Sequence, residues 1–152
     1  IIVFTLLVTG TSSAAHAKPP RELCRALRAF VESVKPEETR EFTFRTSWGS
    51  NFKDQSEPAI RAKRCEHGGY SPAEPLCAYL MKHGPIEFSD STVKDSISCL
   101  SRKTKFDDQL SINGAELSFD YGSEERGSVI KITYSEDKVI GGMAFRLVAR
   151  GY

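Results

Sequence analysis

Four cysteines, at positions 24, 65, 77 and 99, constrain this chain more than any other feature. All four follow a largely apolar opening, Ile1 to Val8, which passes through small polar residues to Ala15-His16-Ala17. An apolar core closed by an A-x-A triplet is the pattern of a secretory signal cut after its second alanine. The run is also too short to cross a bilayer, which takes roughly 20 apolar residues. No charged residue precedes Lys18. Residues 1–17 therefore read as a signal peptide lacking its basic start. Residues 18–152 read as a single exported domain, periplasmic or extracellular. An even number of cysteines in an exported chain implies two disulfides.

Outside the cysteines, periodicity assigns the elements. Residues 20–35 repeat Leu23, Leu27, Phe30, Val31 and Val34 at helical spacing, with Pro20 at the start and Pro36 at the end. Residues 41–48 alternate Phe42 and Phe44 against Thr43 and Arg45, a strand with one buried face. Ser56-Glu57-Pro58 carries a helix-start signal, and a short helix is expected from there to Cys65 or His67, stopped by Gly68-Gly69. A third helix starts at Ser71 or Pro75 and ends at Gly84-Pro85. A fourth begins near Ser89 or Ser91 with Val93, Ile97 and Leu100 on one face.

Beyond Lys105 the period becomes two. Asn113-Gly114 gives a hairpin signal between Ile112 and Leu117, and two further strands follow. The expected fold is α+β: about four helices packed on one face of a C-terminal antiparallel sheet of three to five strands, stapled by two disulfides. The 41–48 strand is expected to join that sheet, because a lone strand leaves its backbone groups unpaired.

The stretch RCEHGGYSPAEPLC, Arg64 to Cys77, supports three chemistries. Cys65, His67, Cys77 and His83 could form a zinc set, but C-x-H is not the opening spacing of structural zinc sites. His67-Gly68-Gly69 resembles an oxyanion-hole segment, yet no G-x-S-x-G nucleophile turn accompanies it. A covalent staple is the favoured reading. If the last two helices pack antiparallel, Cys77 and Cys99 sit side by side, leaving Cys24 to pair with Cys65. The other two connectivities, 65–77 with 24–99 and 24–77 with 65–99, remain open.

Function is read mainly from what is missing. The net charge of +1 gives no general pull on nucleic acid or membrane. The sequence holds no nucleotide loop, no metal-ligand cluster of convincing spacing and no nucleophile elbow, so no cofactor, metal or catalytic residue is assigned. The chain reads as an exported, non-enzymatic binding protein whose partner is another protein, as an inhibitor, immunity protein or envelope accessory factor is. Trp48, His67 and Tyr70 are the candidate contact residues, with Trp48 also readable as a core residue closing the end of the sheet. The alternative is a small secreted nuclease-like hydrolase using His67 and His83 as acid and base.

Overall fold

The computed structural model describes residues 18–152, and the expected signal segment lies outside the described residues. Helix α1 spans Arg21–Glu32 and buries Leu23, Cys24, Leu27, Phe30 and Val31 along one side. Strands β1 (Thr39–Trp48) and β2 (Arg61–Glu66) follow, then a single 3-10 turn at Ser71–Ala73 leading into α2 (Glu74–His83). After α3 (Asp90–Leu100) the chain closes with β3 (Ala115–Gly122), β4 (Gly127–Glu136) and β5 (Met143–Gly151). The strands form one antiparallel sheet in the order β2-β1-β5-β4-β3, with the helices on one face. The α+β expectation holds, and the strand at 41–48 does join the C-terminal meander, pairing with β5.

Strand alternation builds the core. Phe42, Leu147, Ile132 and Leu117 stand in register across β1, β5, β4 and β3. Cys65, Phe44, Phe145, Tyr134 and Ala115 form the next row across the whole sheet. Phe42 meets Phe30 of α1 edge to face at 5.6 Å and Phe145 at 5.5 Å. Each fully buried side chain of this size contributes about 1.5–3 kcal/mol. The α2–α3 connection crosses this row so closely that a Cβ on Gly84 would lie 2.6 Å from the Phe44 ring, which requires glycine there.

Three expectations are corrected. The helix expected from Ser56 is absent, and Arg61–Glu66 is strand β2, so the described residues hold three α-helices rather than four. The segment carries no apolar helical stripe, and its backbone gains a ladder by pairing with β1. Asn113-Gly114 does not form a hairpin; it leads into β3, and the meander turns instead between Gly122 and Gly127 and between Glu136 and Met143.

The favoured disulfides, Cys77 with Cys99 and Cys24 with Cys65, are also replaced. The bonds are Cys24–Cys99 and Cys65–Cys77, with Cα separations of 4.9 and 5.4 Å. The reason is packing: α1 contacts both α2 and α3, so Cys99 meets Cys24 while Cys77 faces β2. Two intramolecular disulfides are the covalent signature of an oxidising, non-cytoplasmic environment. Among the described residues, no helix is long and apolar enough to cross a membrane.

Candidate functional site

The face of the sheet away from the helices is polar, because alternation sends Glu41, Thr43 and Arg45 of β1 there beside Arg146 of β5. With the turn after β2, this face forms an open cavity of about 600 Å³. Its charges are already matched. Arg45, with its side chain only 14% exposed, sits 3.1 Å from Glu66 and also pairs with Asp137. Arg146 pairs with Glu41. Asp137 is held below the usual carboxylate range, first by the Ile140 amide and then by Arg45.

The cavity brings together two of the three candidate contact residues, and each has a local role. Tyr70 donates its hydroxyl to the Ser33 carbonyl at 3.1 Å, lies under the Arg40 guanidinium and meets Phe30 edge-on. It is a strut between the post-β2 turn and the end of α1. His67 accepts the Tyr70 amide on its carbonyl, and its enclosed Nδ1 has no hydrogen-bond partner among the described residues. His83 does not line this cavity. It ends α2 and stacks on Tyr79, with ring centroids 4.8 Å apart. Neither Cys65 nor Cys77 offers a thiolate, since both sulfurs are spent on their mutual bond.

The third candidate lies elsewhere. Trp48, at the end of β1, is 55% exposed rather than buried in the core. The β1–β5 ladder stops at Thr46, two residues before it. Its register partner Arg61 holds a guanidinium 5.5 Å from the centre of the indole. Next to them Ile60, 72% exposed, closes the β1–β2 loop through its carbonyl and the Gly49 amide.

That loop is fastened at several points. Asn51 bonds the Glu57 carbonyl and the Phe52 amide, and Phe52 is buried under Arg64. Arg64 grips Asp54 through two bonds of 2.7 and 2.8 Å, which lowers the Asp54 pKa. Lys63, on the same side of the sheet as Trp48, donates to the Gly84 carbonyl at 3.0 Å, and burial lowers its pKa. Trp48, Arg61 and Ile60 thus form an exposed patch on a rigid support. Ile60 was not singled out from the sequence, and Arg61 stands out there only as part of the basic cluster 61–64, the phosphate-holding group of the hydrolase alternative. The usable signal was the alternation of Arg61, Lys63 and Cys65, which reads once that segment is known to be a strand.

No protein-family model, curated protein or solved structure matches the chain.

Proposed function

We propose that this chain is an exported, non-enzymatic recognition protein, acting in the periplasm or outside the cell, that binds another protein through Trp48, Arg61 and Ile60. The observation that carries the reading is an exposed indole held by a guanidinium at the end of a disulfide-tied strand pair. Tryptophan and arginine dominate binding energy at protein interfaces, because each offers a large contact area that desolvates on docking. The fastened loop lowers the ordering cost of binding. The complementary partner surface is an apolar recess for the indole with a carboxylate at the rim facing Arg61. The hydrolase reading has less support, since His83 stands outside the cavity that His67 lines.

The test compares wild type with Trp48→Ala and Arg61→Ala. A partner is captured from the native medium or envelope and its affinity then measured with purified components. Trp48→Ala is expected to weaken binding about 30-fold or more, a cost of about 2 kcal/mol, with an unchanged melting temperature. Equal affinity for the wild type and both variants overturns the proposal.

A further inference from the structure

The two edges of the sheet are protected very differently. β2 is six residues long, and three of them, Arg61, Lys63 and Arg64, are cations. Short length and basic side chains are the usual means of keeping an edge from pairing with other chains. β3 has neither. Its eight residues, Ala115 to Gly122, contain no lysine, arginine or proline, and they pair with β4 in unbroken register without a bulge.

The hydrogen-bond pattern shows what this edge presents. The Ser123 amide donates to the Arg126 carbonyl, setting the first rung of the hairpin. Alternation from that rung turns the backbone groups of Ala115, Leu117, Phe119 and Tyr121 toward β4. Those of Glu116, Ser118 and Asp120 are aimed at the outer edge, along which no strand among the described residues pairs. The same three side chains are exposed on the outer face, while Leu117, Phe119 and Tyr121 form a half-buried row on the helix face.

Charge selects the occupant. A second copy pairing antiparallel about Ser118 would set Glu116 opposite Asp120 twice, and like charges directly opposite oppose pairing. Shifting the register relieves this only by shortening the ladder. A strand with basic residues on the outer face and apolar residues on the helix face satisfies both rows. Glu116 already shows this preference, taking Lys131 of β4 at 2.7 Å. Asp120 makes no ion pair among the described residues.

We propose that the free edge of β3 accepts an extended segment of a partner protein, alternating basic and apolar residues, as a sixth strand of the sheet. The site is independent of the Trp48 patch, which lies toward the other edge.

The probe is a synthetic peptide alternating lysine and valine, matched in length to β3 and labelled for fluorescence anisotropy. A glutamate–valine peptide serves as control. The lysine–valine peptide is expected to bind, to shift the amide resonances of Glu116, Ser118 and Asp120, and to lose about tenfold or more in affinity with Ser118→Pro. That substitution removes an edge-facing donor and leaves the β3–β4 ladder intact. The double change Glu116→Lys with Asp120→Lys is expected to reverse the preference toward the glutamate–valine peptide, which keeps the test decisive if the proline variant folds poorly. Indifference of binding to all these changes, or equal binding of both peptides by wild type, overturns the proposal. So does self-association in sedimentation velocity that Ser118→Pro abolishes, because the occupant would then be a second copy.

Discussion

Asp137 shows how one side chain can set a turn. Its Oδ1 accepts the amides of Val139 and Ile140 at 2.9 and 2.8 Å, and its other oxygen pairs with Arg45. The β4–β5 connection is therefore tied both to itself and to β1. Because the folded state holds this carboxyl below its ordinary value, it binds protons less readily than the unfolded chain does. The stabilisation is present above the unfolded value near pH 4 and fades as acid is added through the folded value. Asp137→Asn should lower stability at neutral pH by a modest amount, of the order of 1 kcal/mol. The gap between variant and wild type should shrink as urea titrations are taken from pH 7 to pH 3. A constant gap across that range would assign the effect to packing instead. Nothing local in the sequence marks Asp137 for this role, since its partner Arg45 is 92 positions away.

Elements were legible in proportion to how much of their environment they carry themselves. α1 reads cleanly because its apolar stripe is complete within twelve residues. β4 and β5 read cleanly because alternation is strict and both lie inside the sheet. β2 does not, because a six-residue edge strand with three cations shows alternation only beside its neighbour. Missing β2 also hid the Cys65–Cys77 bond, which follows from β2 lying beside α2.

The two staples should differ in strength, because they close loops of 75 and 12 positions. Loop-closure entropy gives about 4.5 kcal/mol for the longer and about 3 kcal/mol for the shorter. Replacing Cys24 and Cys99 together by alanine should thus destabilise more than replacing Cys65 and Cys77. The shorter bond should instead matter more for partner affinity, since it fixes the strand that carries Arg61. Denaturant melts of the two double variants, with partner affinity measured on each, separate these contributions.

For the molecule as a whole, covalent and non-covalent restraints are divided along the chain. α1, β2, α2 and α3 are joined by sulfur, whereas β3, β4 and β5 hold by ladder pairing and burial alone. The Trp48 patch belongs to the crosslinked part and the open β3 edge to the other. One consequence follows from the long Cys24–Cys99 closure. Residues 54 to 58 are all exposed, making that segment an accessible point for a protease. A single cut there leaves two fragments that remain one covalent body. Such a clipped form should migrate as an intact species until a reductant is added, and should persist in protease-rich surroundings where an uncrosslinked chain would fall apart.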